Sequence, residues 1–124
     1  MNTNEFLTNS YKRNYPTLAR MSKTFERDMD KMYFTRPRVV CKDGFSISIQ
    51  ASYVNYCIPR LTFSGDYEAV ELGYPSKKEP LIADYAEDLD NLTSTVYGTV
   101  PVKLVDKVLK KHGGIIDEQE LKMV

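Results

Sequence analysis

The sequence predicts an α+β fold: a small, mainly antiparallel sheet of about three to four strands, with an N-terminal amphipathic helix and a C-terminal helix. Three patterns predict this class. A helical apolar period follows Thr17, strand-like stretches follow Arg38, and a second helical period follows Pro101. The 124 residues and the 42% hydrophobic content suit one domain with one core.

Residues 1–38 are predicted to form an arm and an amphipathic helix. The first sixteen residues, which end at Pro16 and are rich in Asn, Thr and Tyr, are expected to be an arm with little helical character. From Thr17 onward, apolar residues at spacings of three and four predict a helix of about sixteen residues that ends before Pro37. Its apolar face packs either on the sheet or on a second copy, so a homo-oligomer stays open.

Residues 39–124 are predicted to form a compact body, which shares one domain with the N-terminal segment. Asp43-Gly44 indicates a type I′ turn, and the side chains from Phe45 to Ala51 alternate between apolar and polar, so a β-hairpin is expected. Composition and turn residues predict two further strands, Tyr67–Tyr74 and Thr95–Val100.

The last predicted helix starts at Pro101, because a proline is tolerated at the first helical position. It ends at His112, where the two following glycines suit a left-handed C-cap. His112 is the only histidine, and two roles are open for it. It either caps the helix, through its charge and through hydrogen bonds to the free carbonyls of the last turn, or it forms a catalytic dyad with Cys41 or Cys57.

The net charge of zero hides two opposed segments. Residues 1–38 carry eight basic and four acidic residues, whereas residues 39–124 carry nine basic and thirteen acidic residues. At the level of the whole chain, the zero net charge excludes a wholly basic nucleic-acid wrapper and an acidic disordered tail. The balance is +4 in the first segment and −4 in the second.

Four cations form a stripe on the polar side of the N-terminal helix, opposite its apolar face: Arg20, Lys23, Arg27 and Lys31. Such a stripe either is a solvated helix face or lies along a nucleic-acid backbone or an acidic protein surface. Both alternatives stay open, and the four cations are candidate partner-binding residues.

A cluster of acidic residues is the second candidate surface: Asp84, Glu87, Asp88 and Asp90. An EF-hand loop that started at Asp88 would need a glycine at position 93 and a glutamate at position 99, and both positions hold threonine. The cluster is therefore either a solvated loop or a surface that docks a basic partner. The sequence predicts no metal site and no cofactor, since phosphate-binding glycine motifs and zinc-ligand spacings are lacking.

Arg60 is the third candidate. It leaves a loop that Pro59 constrains, so its side chain is expected to be displayed, and a guanidinium suits a carboxylate or a phosphate. The alternative is a salt bridge from Arg60 to the acidic 84–90 loop.

The compartment expected from the sequence is intracellular. The N-terminus has neither a basic region nor an apolar run of the kind found in signal peptides, and no stretch reaches the length of a membrane span. Cys41 and Cys57 are expected to stay reduced and to act as small buried apolar residues, with a redox pair as the alternative.

Five segments resemble a widespread group of small uncharacterised bacteriophage and prophage proteins. The resemblance covers Val40–Ile115, leaves the N-terminal extension uncovered, and rests on VCKDGFSISIQAS, YCIPR, YEAVELGYPS, YAED and VYGTVPVKLVDKVLKKHGGI. It implies a phage-borne accessory protein in the host cytoplasm, and it supplies no activity or catalytic residue.

Three functions follow as hypotheses. The first is a non-enzymatic phage protein that binds and inhibits a host or defence macromolecule, most simply a protein. The second is a small-ligand binder that sequesters a nucleotide through Arg60 and tyrosines. The third is nucleic-acid binding through the basic helix; a hydrolytic enzyme ranks last, because no activated nucleophile is found.

Overall fold

The computed structural model of the chain describes residues 1–21 and 34–116, with the backbone alone for residues 15–21. Its elements are, in chain order, α1 (Thr3–Met21), β1 (Val39–Val40), β2 (Ser46–Gln50), β3 (Ala69–Gly73), a 3₁₀ helix (Pro80–Tyr85), β4 (Val96–Pro101) and α2 (Val102–Lys111). The four strands form one antiparallel sheet in the order β1-β2-β3-β4. The predicted α+β class is therefore confirmed.

The expectation of an N-terminal arm is wrong. Helix α1 begins at Thr3 instead of Thr17, and it continues through Pro16. Phe6 and Leu7 are fully buried and belong to the same core as the sheet. The first turns of α1 are helical because they have a hydrophobic surface to cover, which is how most helices in proteins gain their stability.

A capping box sets the start of α1. Asn2 Oδ1 accepts a hydrogen bond from Glu5 N at 2.8 Å, and Glu5 Oε1 accepts one from Asn2 N at 3.2 Å. One residue later, the backbone N–H and the hydroxyl of Thr3 donate to Asp106 Oδ1 at 2.8 and 2.5 Å. Asp106 lies on α2, so these bonds join the two helices.

The predicted hairpin is confirmed, but its turn is of another type. Val39 of β1 pairs with Ile47 of β2, and Gly44 has a φ of +94°. Asp43 does not have a positive φ, which a type I′ turn requires at both central residues. Instead, Gly44 N donates to Cys41 O at 2.9 Å, and the loop is the three-residue form that ends in a left-handed glycine.

The remaining predicted elements lie close to their expected positions. β3 and β4 fall at the two predicted strands, and α2 follows them directly. Pro101 is the last residue of β4 and the N-cap of α2, so the helix starts one residue later than expected. Gly113 and Gly114 both have positive φ, as the predicted C-cap requires. The buried residues of α2 follow the helical apolar period that the sequence shows after Pro101: Val102, Val105, Val108 and Leu109.

Arg36 connects α1 to the end of β2 although it is only 2% exposed. Its guanidinium donates to Ser10 Oγ at 3.0 Å, to Leu7 O at 3.3 Å and to Ala51 O at 2.5 Å. The side chain of Gln50 bonds both the N–H and the C=O of the Arg36 backbone. Burial lowers the pKa of the Arg36 guanidinium, because the charged form has lost its water.

Candidate functional site

The segment from Tyr53 to Arg60, here called the aromatic loop, displays a cluster of large apolar side chains. Four of its residues are 45–52% exposed: Tyr53, Val54, Tyr56 and Ile58. Scattered exposed apolar residues are ordinary on protein surfaces, but four of them within six consecutive residues are a concentration typical of an interaction site. The aromatic loop is therefore the strongest candidate site among the described residues.

The backbone of the aromatic loop is held by hydrogen bonds with polar side chains. The Glu71 carboxylate accepts hydrogen bonds from Asn55 Nδ2 and from Tyr56 N, both at 3.1 Å. Ser52 Oγ donates to Asn55 Oδ1 at 2.6 Å, and both of these residues are buried. Beyond the tyrosine, Ile58 forms a β-bridge with Ala69, and the Ile58–Pro59 peptide is cis. The exposed side chains thus stand on an ordered backbone, which reduces the entropy lost on binding.

A β-bulge in β4 supplies a further anchor for the aromatic loop. The register changes so that Gly98 and Thr99 lie opposite the single residue Glu71. Thr99 has a φ of +52°, which is unfavourable for a β-branched residue. Its N–H points out of the ladder and donates to Tyr56 O at 2.9 Å. Strained positions of this kind cluster at functional sites, which adds a second reason to favour this loop.

Arg60 lies at the exposed end of the aromatic loop. Its guanidinium carbon is 5.5 Å from the centre of the Tyr56 ring, in cation–π geometry. Together with Tyr53 and Val54 it lines a concavity of about 350 Å³. Within the described residues, Arg60 forms no ion pair with the 84–90 loop, so that alternative is wrong for this structure. Its role in binding stays a prediction.

The four acidic candidates are all exposed, on the 3₁₀ helix and the turn after it: Asp84, Glu87, Asp88 and Asp90. Hydrogen bonds from the Asn91 side chain and from Asp90 N lower the pKa of the Asp88 carboxyl. No metal-binding group of three or more ligands occurs in the part of the chain that the structure describes. Docking of a basic partner on this surface stays a prediction.

The basic candidates are largely outside the structural description. Arg20 lies on α1, where only the backbone is described, and Lys23, Arg27 and Lys31 lie outside the described residues. Their binding to nucleic acid, and self-association through this segment, therefore stay predictions.

His112 is the C-cap residue of α2, but its side chain does not bond helix carbonyls as expected. The ring is buried and lies stacked 4.0 Å from the Phe45 ring. Its Nδ1 is 2.6 Å from Asp43 Oδ2, and its Nε2 is 2.8 Å from Glu79 Oε1. Because both nitrogens face carboxylates, neither is available to a thiol, and the structure does not form the Cys–His dyad.

Glu79 is the buried partner in this cluster. It also accepts hydrogen bonds from Leu81 N and Lys111 Nζ, both at 3.0 Å, and it caps the 3₁₀ helix. Burial alone would raise the pKa of the Glu79 carboxyl, but the bonds from Leu81, His112 and Lys111 outweigh it and lower the pKa. The cluster joins the hairpin, the 3₁₀ helix and α2, which is a structural role.

Both cysteines are free and buried, in agreement with the structural role predicted for them. Burial, followed by the nearby Asp43 charge, raises the pKa of Cys41 to about 11. Burial also raises the pKa of Cys57, whose Sγ donates to Ser52 O and Pro59 O, both at 3.3 Å. Neither thiol is activated in the way that catalysis or redox exchange requires.

No family model, curated protein or solved structure matches the chain. The similarity to phage proteins therefore stays a prediction from the sequence. No described helix is both long and apolar enough to cross a membrane.

Sequence reasoning missed three residues that shape these sites. Glu79 had a local signal, since a polar residue before Pro80 is a typical helix start. Glu71 and Thr99 had none, because their roles come from the bulge between β3 and β4 and from the loop that crosses it.

Proposed function

We propose that this protein is a phage-encoded, non-enzymatic accessory protein that binds a host or defence protein through the aromatic loop and inhibits it. The observation that carries the proposal is the combination of four exposed apolar side chains with an ordered backbone beneath them. The phage origin rests on the resemblance of Val40–Ile115 alone.

The chemistry of the aromatic loop favours a protein over a nucleic acid. Tyrosine, arginine and aliphatic residues are typical of the buried centre of protein interfaces, where charged residues other than arginine are depleted. Nucleic-acid affinity depends on several phosphate contacts, each made by a cation or another donor. Arg60 is the single cation from Tyr53 to Arg60, and the neighbouring Glu68, bonded through its N–H to Ile58 O, is an exposed anion.

Comparative affinity capture tests this proposal. The immobilised chain, a Tyr53→Ser/Ile58→Ser variant and a Tyr85→Ser/Leu89→Ser control are exposed to the same lysate of phage-susceptible cells. The control removes two exposed apolar side chains of similar kind from the acidic surface. We expect one protein to be retained by the wild type and the control, and lost with the loop variant by at least about tenfold, as for interface hot spots.

The same three chains then distinguish inhibition from mere binding. Each is titrated against the purified captured protein, and the activity of that protein is measured. Loss of capture by the Tyr85/Leu89 control but not by the loop variant would move the interface to the acidic surface. Equal capture by all three would reject the aromatic loop.

A second candidate function is nucleotide sequestration at the concavity beside Arg60. Its volume of about 350 Å³ lies within the range for small-ligand sites, and it combines a tyrosine ring with a guanidinium. A thermal-shift screen with nucleotides tests it, since a ligand at 100 times its Kd adds about 2.7 kcal/mol of stability. A flat screen rejects this candidate and leaves the protein-binding proposal untouched.

A further inference from the structure

The outer face of the sheet carries a second concavity, separate from the one beside Arg60. The inner face is covered by the core through residues such as Ile49, Leu72 and Tyr97. Because side chains alternate along a strand, the opposite face carries Ser48 of β2 and Gly73 of β3, which pair directly. We call the depression over this pair the outer-face trough; its volume is about 230 Å³.

The missing side chain of Gly73 creates the base of the trough. A Cβ at this position would lie 3.6 Å from Val96 Cγ1 and 3.8 Å from Ser48 Cβ, which are ordinary contact distances. Packing therefore does not require a glycine here. Asn55, Glu71 and the half-exposed Tyr74 also line the trough.

The lining of the trough offers acceptors and an aromatic ring. Among the described residues that line the trough, Glu71 is the single charged one. The side-chain amide of Gln50 donates its two hydrogens to Arg36 O and Ser48 Oγ, both at 3.0 Å. The Glu71 carboxylate has accepted two hydrogen bonds, and a carboxylate has about four lone-pair sites. It can therefore take further donors.

A cation satisfies this lining better than a neutral or anionic group. A cationic N–H donor forms charge-assisted hydrogen bonds with a carboxylate, and it is attracted to the face of a tyrosine. Arg38 donates to Ser46 and to Tyr74 O, and it is not among the described residues that line the trough. The cavity is also smaller than the roughly 300–1,000 Å³ of drug-sized sites, so it suits one functional group instead of a nucleotide.

We propose that the outer-face trough is a binding site for a single guanidinium or ammonium group, held by the Glu71 carboxylate and the Tyr74 ring. The group belongs either to a free small amine or to a basic side chain of a protein. This inference does not depend on the partner of the aromatic loop, although Glu71 contributes to both places.

Amide chemical shifts of the ¹⁵N-labelled protein test the proposal. The probes are agmatine, an acetylated pentapeptide amide with a central arginine, and the same peptide with neutral citrulline. We expect saturable shifts of the Ser48, Gly73 and Val96 amides with the two cations. Citrulline should bind at least about tenfold more weakly, as expected when a charge-assisted bond becomes neutral. Equal affinity for agmatine and the arginine peptide indicates a free amine, and a clear preference for the peptide indicates a protein side chain.

Two variants and one control complete the experiment. Gly73→Ala adds a Cβ at ordinary contact distances from Val96 and Ser48, so it should weaken the saturable shifts while the thermal midpoint is kept. Glu71→Gln should weaken the binding of the two cationic probes about tenfold or more. Glu87 is an exposed carboxylate elsewhere, so Glu87→Gln should leave their affinity unchanged. Unsaturable shifts, equal binding of the citrulline peptide, or undiminished binding to Gly73→Ala would overturn the proposal. Each of these readouts is independent of capture by the aromatic loop.

Discussion

Replacing Arg36 by methionine should destabilise the protein far more than the same change at Arg38. Both side chains donate to a serine hydroxyl and to backbone carbonyls, and they lie two residues apart. They differ in burial, since Arg36 is 2% exposed and Arg38 is an exposed residue. The pair therefore compares a buried and an exposed arginine with the same kinds of hydrogen-bond acceptor, although Arg36 also lies over the Phe34 ring, 4.6 Å from its centre.

The magnitude follows from the hydrogen bonds of Arg36 to Ser10 Oγ, Leu7 O and Ala51 O. A hydrogen bond to a charged group contributes about 1.5–3 kcal/mol, and a buried acceptor that loses its donor costs about 1–3 kcal/mol. Ser10 Oγ keeps its bond to Phe6 O, and Leu7 O keeps its contact with Ser10 Oγ, so Ala51 O bears most of the loss. Relief of the buried charge offsets part of it. We expect a loss of about 3 kcal/mol for Arg36→Met and about 0.5 kcal/mol for Arg38→Met.

Urea unfolding followed by far-ultraviolet circular dichroism measures both values. The slope of the free energy of unfolding against urea should stay the same in the three proteins, so that the midpoints report stability. In thermal melts, the Arg36 variant should unfold about 10 °C below the wild type. If the two variants lose equal stability, or if Arg36→Met is more stable than the wild type, then burial does not increase the contribution of these hydrogen bonds to the free energy of unfolding.

Three further predictions concern acid stability, thiol reactivity and backbone strain. The pKa of Glu79 is lowered in the folded protein. The contribution of its carboxylate to folding stability is therefore complete above the pKa of the unfolded chain, and it is lost as the pH falls through the lower pKa of the folded protein. In urea titrations, Glu79→Gln should therefore be less stable than the wild type at pH 7, and it should lose less stability than the wild type between pH 5 and 3. Parallel curves of unfolding free energy against pH for the two proteins would contradict this. Cys41, whose pKa is raised to about 11, should react with iodoacetamide at pH 8 only when the chain is unfolded, and labelling of the native protein would refute its burial. Thr99→Asn should stabilise the protein by about 0.5–1 kcal/mol, because asparagine tolerates a left-handed backbone; a loss of stability would show that the threonine is not strained there.

Elements whose sequence patterns lie within a few residues of one another were predictable. The Asp43-Gly44 turn followed by strict alternation predicted the hairpin, and the apolar period between Pro101 and His112 predicted α2. The start of α1 also had a local signal, the Asn2-x-x-Glu5 capping box, but the polar composition of the first sixteen residues concealed it. The two residues of this signal are only three positions apart.

Other features had no local signal. Arg36 and Arg38 both flank Pro37, and the sequence does not distinguish the buried arginine from the exposed one. Arg60 is placed in a displayed position by its loop, as expected, but the bulge at Thr99 that helps to hold this loop was not foreseen.

The sequence by itself determined the α+β class, the hairpin and the face of α2 that is buried, because periodicity and turn chemistry involve residues a few positions apart. Only the tertiary structure decided which polar side chains are buried and what they bond. His112 meets a carboxylate 69 residues away, and Arg36 meets the hydroxyl of Ser10, 26 residues away. Whether a charged group is buried or displayed depends on acceptors brought in from distant parts of the chain. The geometry of the aromatic loop and of the outer-face trough therefore appears only when the sheet is assembled.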